Sequence, residues 1–139
     1  MLQQIRERQD LIENTGMYAP FLLFVEGATS NGTSLLKFRK GAFFAEKRMK
    51  PIFLKYKYST VSPAYDVMEF LPLAILNLST CFYKSELTIL PDFEPNEYLF
   101  ETHRIQGRER WEVYAWAMRD IMSKAGDFEI CDQPLKDKL

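Results

Sequence analysis

The sequence predicts an α/β fold: a partial, mostly parallel sheet flanked by helices. Three observations carry this expectation. Short apolar runs of strand length lie at Ala19–Val25, Pro51–Tyr56 and Glu86–Leu90, and the first is continuous, as a strand buried on both faces of a parallel sheet is. Longer segments with helical patterning, from Ser62 to Cys81 or Tyr83 and from Gly107 to Ala125, alternate with them. Three strands are few for a complete α/β domain, so residues 1–139 are expected to form part of one domain with part of its sheet.

Each element has a local reason. Met1 to Asn14 spaces Leu2, Ile5, Leu11 and Ile12 as a thin helical stripe, and Asn14-Thr15-Gly16 stops it. The run from Ala19 ends abruptly at Glu26-Gly27, and Ala28 to Ser34 is a loop of small residues. Apolar spacing resumes from Leu35 to Phe44, broken at Gly41. Ser62-Pro63 reads as a helix cap followed by proline at the first helical position. Pro91 stops the third strand, and Pro95 to Gln106 reads as a loop. The last helix carries Trp111, Ala115, Met118 and Met122 on one stripe; nothing is assigned after Gly126.

Composition narrows the function classes. Hydrophobic residues at 47% and charged residues at 27% describe a folded chain, not a disordered one. Aromatics at 14% fit a dense aromatic core, or contact with lipid; composition favours the core. A net charge of −1 predicts no nucleic-acid partner. Positive charge is nevertheless local: Lys37, Arg39, Lys40, Lys47, Arg48, Lys50, Lys55 and Lys57 share their stretch with one acid, Glu46. Such a zone can hold phosphates or face anionic headgroups, or be only a solvated face. Cys81 and Cys131 have no metal-ligand or disulfide-framework spacing, so no metal is expected. The first residues have no signal-peptide apolar region, and no run reaches the roughly 18 apolar residues of a spanning helix.

The informative stretch joins a strand-end carboxylate to a glycine- and hydroxyl-rich loop and then to a basic segment. Ligands collect at the carboxyl ends of strands in open α/β sheets, and exposed amides in such loops suit phosphate. A nucleotide loop is nearly matched by Gly27-x-x-x-x-Gly32-Thr33-Ser34. Thr33, however, stands where the phosphate-binding lysine is needed, and no later strand ends in aspartate, so that reading is set aside.

A second reading takes the whole stretch. It runs Phe24-Val25-Glu26-Gly27-Ala28, then Thr29-Ser30-Asn31-Gly32-Thr33, then Leu36-Lys37-Phe38-Arg39-Lys40-Gly41-Ala42-Phe43. This resembles the third sequence block of the glycerolipid acyltransferases, in the form of the lysophosphatidylcholine acyltransferase branch. Met49–Leu54 is a loose match to the fourth block, and Phe70–Tyr83, Leu87–Pro91 and Arg108–Met122 follow in the branch's order. The resemblance covers most of the chain; its specific part is residues 24–43. It implies transfer of an acyl group from acyl-CoA to a lysophospholipid hydroxyl, with CoA leaving as the thiol and no bound cofactor or metal. It further implies that Glu26, Gly27, Ala28, Thr29 and Ser30 position the acceptor headgroup. Lys37, Arg39 and Lys40 would contact its phosphate, and Pro51 and Ile52 would lie on the acyl side. A membrane-surface setting, at the endoplasmic reticulum or another endomembrane, is implied as well.

The sequence also departs from the pattern. Val25 stands for the family's proline and Ala28 for its threonine, and Thr29 replaces the arginine of many members with phosphate-ended acceptors. That loss of a bidentate donor favours an acceptor with a larger headgroup. The family's base and its orienting aspartate sit in an upstream N-H-x-x-x-x-D block. Here the single histidine, His103, follows Thr102, has Arg108 five positions on, and reads as a surface or structural residue. The expectation is therefore the carboxyl-terminal part of one acyltransferase domain, with no catalytic residue in this chain. The alternative is a non-catalytic lipid-binding or membrane-surface module derived from an acyltransferase. Two bland readings stand beside these. Glu26 can simply cap a loop, and Phe70–Tyr83 is expected to pack in a core, with Glu69 and Asn77 permitting no more than an interfacial position.

Overall fold

The computed structural model describes residues 2–16, 18–27, 32–57, 62, 68–80, 82–103 and 108–132. In chain order the elements are α1 (Leu2–Thr15), β1 (Ser34–Leu35), α2 (Lys40–Phe43), β2 (Ile52–Lys57), α3 (Phe70–Ser79), β3 (Lys84–Ile89), α4 (Glu97–Thr102), α5 (Arg110–Gly126) and β4 (Glu129–Ile130). The α/β expectation holds. β1 and β4 pair in parallel, Ser34 with Glu129 and Leu35 with Ile130, while the longer β2 and β3 pair antiparallel from Ile52–Ile89 to Lys57–Lys84.

The core forms where α5 packs on α2, α4 and β4, with Phe53 of β2 joining it. Tyr114 and Phe43 are its most enclosed side chains, with Leu35, Phe38, Phe53, Phe100, Val113, Met118, Met122 and Phe128 around them. Tyr114 stands edge-on to Phe43 at 5.3 Å and stacks with Phe93 at 5.6 Å. Its hydroxyl donates to the Lys47 carbonyl at 2.8 Å, so the ring is buried without losing a hydrogen bond. Burial pushes the phenol's pKa up.

The α5 boundaries have clear causes. Glu109 and Glu112 form a capping box, and Asp127, in the left-handed conformation with φ 51°, ends the helix as Phe128 N–H returns to the Ser123 carbonyl at 3.0 Å. The helix thus starts after the expected Gly107, which lies outside the described residues. The expected stripe is buried at Ala115, Met118 and Met122, while Trp111 is half-buried.

The tail carries the most consequential polar group. Arg119 is buried on α5 and donates to the Leu35 carbonyl at 2.9 Å, to the Cys131 carbonyl, and to Asp132 Oδ1 at 2.6 Å. One guanidinium therefore joins α5, the end of β1 and the residues after β4. It gives the Leu35 carbonyl, which already accepts from Cys131 N–H at 3.0 Å, a second and charged donor, and it donates to the Cys131 carbonyl as well.

Several expectations change. Ala19–Val25 is not a strand buried on both faces. No strand pairs with it among the described residues. Leu23 and Val25 lean on the core while Phe21, Leu22 and Phe24 are exposed. A continuous apolar run needs neighbours on both edges to form a ladder, and one-sided packing preserves only the alternation. The third helix begins at Phe70, because Glu69 is extended (ψ 152°), not at Ser62-Pro63. Pro63 and Cys81 lie outside the described residues. The expected core packing of Phe70–Tyr83 is also corrected: Leu73 is the one buried residue of α3. Within the expected loop, Asn96 caps α4 by accepting from Leu99 N–H at 2.9 Å.

Replacing Arg119 with methionine should lower the unfolding free energy by about 2–4 kcal/mol in urea titrations, because two carbonyls and a carboxylate lose a charged donor. Asp132→Asn should cost little beside that, since the Asp132 side chain is 83% exposed.

Candidate functional site

The site is a loop closed at both ends. The Arg39 N–H donates to the Val25 carbonyl at 2.8 Å, and the Leu36 N–H donates to Glu26 Oε2 at 3.3 Å. Glu26 thus spans ten positions to hold the return of its own loop, as a loop-organising carboxylate does. Gly27 has φ +69°, where other residues are strained. A Cβ there would also lie 2.5 Å from Arg39 Nε, so the Arg39 side chain rests on the glycine. Ala28, Thr29 and Ser30, the expected centre of headgroup contact, lie outside the described residues.

The basic side of the loop is sorted by strand-like alternation. Leu36 and Phe38 turn into the core, and Lys37 and Arg39 turn out. Two of the three expected phosphate cations therefore share the outward side, Arg39 beside Gly27. Lys37 lies in the field of Asp132. Arg119 chiefly, with Lys37 and Arg108 adding, holds that carboxyl below the usual carboxylate range. Lys40 is turned away: at the start of α2 it binds Glu109 Oε2 at 2.6 Å. Lys40 first, and the Trp111 indole N–H second, depress the Glu109 pKa. Lys40 therefore ties the basic segment to the capping box of α5.

The expected acyl-side pair belongs to another element. Pro51 is buried, with its carbonyl accepting from Leu90 N–H at 3.0 Å, while Ile52 faces outward at the start of β2 opposite Ile89. His103 ends α4, exposed, with its ring 5.3 Å from that of Trp116. Among the described residues no cluster of histidine, cysteine and carboxylates is placed to hold a metal. A cleft of about 550 Å³ between α1 and Phe44, lined by Leu2, Arg6 and Asp10 among others, takes in no residue of the Glu26 loop. Sequence reasoning missed Arg119 and Asp132. The available signal was one arginine between Met118 and Met122 on an otherwise apolar face, which a pattern of apolar residues alone does not flag.

Chemically, the described residues offer a loop tied at its base, with outward cations and an anchored carboxylate. They can bind and orient an anionic or zwitterionic group.

Comparison with known proteins agrees with the motif. The chain is 29% identical over 137 residues to the lysophosphatidylcholine acyltransferase of Drosophila melanogaster, covering 97% of this chain and 24% of that protein. It is 30% identical over 117 residues to the lysophospholipid acyltransferase LPEAT1 of Arabidopsis thaliana, covering 84% of this chain and 27% of the relative. With the human lysophosphatidylcholine acyltransferase 1 the identity is 24% over 138 residues, again 98% of this chain and 24% of the other. The chain spans about a quarter of the length of these curated relatives. No protein-family model and no solved structure matches it.

Gly27→Ala should destabilise the chain by about 1–2 kcal/mol in denaturant titrations, from the strained φ, and should displace Arg39, seen as a shift of its side-chain NMR signals. The Glu109 contact carries a pH dependence of known sign. Because its folded pKa is depressed, its contribution is complete above the unfolded carboxylate range and is lost as pH falls through the folded value. Amide protection in the first turn of α5 should fall on acidification, and Lys40→Ala should flatten that dependence.

Proposed function

We propose, for a chain that belongs to the glycerolipid acyltransferases on the branch of its lysophospholipid-acylating relatives, that it forms the acceptor-binding part of an acyl-CoA:lysophospholipid acyltransferase. The observation that carries this reading is the closed Glu26–Arg39 loop, with Arg39 laid on Gly27, inside the block that the family shares. Arg39 and Lys37 take the phosphate of the acceptor. Glu26 keeps the loop in shape through Leu36 N–H. Gly27 presents backbone to the headgroup, where a side chain would displace Arg39. Thr29 in place of arginine removes a bidentate phosphate donor, which favours an acceptor with a larger headgroup, such as lysophosphatidylcholine.

Acyl transfer needs a base to take the proton from the acceptor hydroxyl as its oxygen attacks the thioester carbon and the CoA thiolate leaves. Nothing in residues 1–139 supplies an N-H-x-x-x-x-D pair, and His103, exposed at the end of α4 with its ring beside Trp116, is followed five positions on by Arg108. The base therefore comes from outside this chain, as a fragment of a larger enzyme requires. The acceptor is a membrane lipid, so the setting is a membrane surface, and the endoplasmic reticulum is the compartment the resemblance implies. Among the described residues no helix is long and apolar enough to cross a membrane.

Two measurements test this. NMR titration with monomeric lysophosphatidylcholine should shift Glu26, Gly27 and Leu36–Arg39. Arg39→Ala should weaken binding about tenfold, equivalent to about 1.4 kcal/mol. Shifts confined to other surfaces, or unchanged affinity in Arg39→Ala, would remove the acceptor assignment. The purified chain given acyl-CoA and lysophosphatidylcholine should release no thiol above the uncatalysed rate. Release that depends on the protein would show that it carries its own base. Lipid binding without turnover when the missing block is supplied in a longer chain would instead favour a non-catalytic lipid-binding module.

A further inference from the structure

We propose that the outer side of α3, continued by Phe82, seats this protein on a membrane by lying in the plane of the headgroup–acyl boundary. The inference builds on the lysophospholipid reading, whose acceptor is presented by a membrane, but it rests on different residues. α3 is apolar from Phe70 to Leu76, yet it buries little of itself. Phe70, Leu71, Ile75 and Leu78 are 72%, 69%, 61% and 87% exposed, and Phe82 just beyond is 92% exposed. Leu71, Ile75 and Leu78 fall at i, i+4 and i+7, one side of the helix, while Leu73, on another side, is buried.

The polar groups at the end of this helix are already satisfied. Tyr83 OH donates to Asn77 Oδ1 at 2.6 Å, Ser79 Oγ to the Leu76 carbonyl at 2.7 Å, and Thr80 Oγ1 to the same carbonyl at 3.0 Å. Asn77, one of the two residues that argued from sequence against deep lipid contact, is thereby masked; the other, Glu69, is exposed at the N-cap and keeps that end of the helix at headgroup level. A protein partner, including a second copy of this chain, is normally registered by hydrogen bonds, about one per 100–200 Å². The side chains of Phe70, Leu71, Ile75 and Leu78 are hydrocarbon or aromatic and provide none, which suits a fluid apolar phase. Ten residues make about 15 Å of helix, half the roughly 30 Å hydrocarbon layer, so the helix lies in the interface and does not span it. Charge agrees. Lys84 is exposed at the start of β3 next to Phe82, where it would meet anionic headgroups; Lys57, opposite it in register, is paired with Glu86 at 2.7 Å.

The test uses the whole chain and phosphatidylcholine vesicles with and without phosphatidylserine. The wild type should sediment with vesicles, more strongly when phosphatidylserine is present. Leu78→Glu with Phe82→Glu should reduce the partition coefficient about tenfold or more, since charge on an inserted face opposes burial. Circular dichroism should not change, because both side chains face solvent. Tyr98→Glu, at an equally exposed ring on α4 (72%), should change partition less than about twofold. Phe82→Trp supplies a second readout: its emission should shift to the blue on vesicles and be quenched by lipids brominated on the acyl chain. Undiminished partition of the double variant, an equal loss in Tyr98→Glu, or no response from Phe82→Trp would overturn the proposal. So would a wild-type dimer that the double variant converts to monomer with no vesicle binding by either. Loss of headgroup binding in Arg39→Ala with partition intact separates this inference from the acceptor assignment, and the reverse pattern would sink this one alone.

Discussion

Arg119 is the interaction on which the arrangement of this chain depends. A parallel pair of two-residue strands cannot hold itself, because each strand contributes too few ladder bonds to offset its ordering entropy. The guanidinium provides what the ladder lacks, with donors in a fixed fork to Leu35, Cys131 and Asp132. It is carried on the longest helix, so α5 and the strand pair are positioned as one unit. β1 then runs directly into Leu36–Arg39, whose alternation sets Lys37 and Arg39 outward and whose amides close the Glu26 loop. The candidate site is thus two residues from the anchored carbonyl of Leu35.

Around that anchor the charges fall into different tasks, although they form one basic stretch in sequence. Lys40 binds the helix cap at Glu109, and Lys47 bridges to Asp10 and Glu13 of α1, whose hydrogen bonds raise its pKa. Lys57 pairs with Glu86 across the hairpin. Lys37 and Arg39 are the pair left on the outward side of the loop. A basic zone of this kind is part scaffold and part binding surface, and only the pairing in space separates them.

The apolar surface divides in a similar way. Part of the aromatic content forms the core around Tyr114 and Phe43, while Tyr18, Phe44, Tyr56, Tyr98 and Trp116 among others remain exposed. Two apolar segments also stay outside the core: Phe21, Leu22 and Phe24 before the site, and the outer side of α3. The first shows the in–out alternation of a strand without a partner strand. The second is a helix with almost no protein to pack on, and its polar end is tied up internally.

The elements with strong local causes were legible in the sequence: α1 with its Gly16 stop, β2 and β3 from their apolar runs, and α5 from its stripe. The block around Glu26 and Gly27 was legible as well, through the resemblance of residues 24–43 to the third block of the glycerolipid acyltransferases. What the sequence could not decide was pairing. Whether Ala19–Val25 had a neighbour, whether β2 and β3 ran antiparallel, and whether the 70–79 helix was covered all depend on contacts between distant segments. Nor could it distinguish Lys40 from Lys37 and Arg39, since that difference is made by Glu109, far along the chain. Residue chemistry and local spacing determined the family block and the helices. Tertiary structure decided which charges remain outward and which apolar faces remain open, because both depend on what the rest of the chain brings alongside.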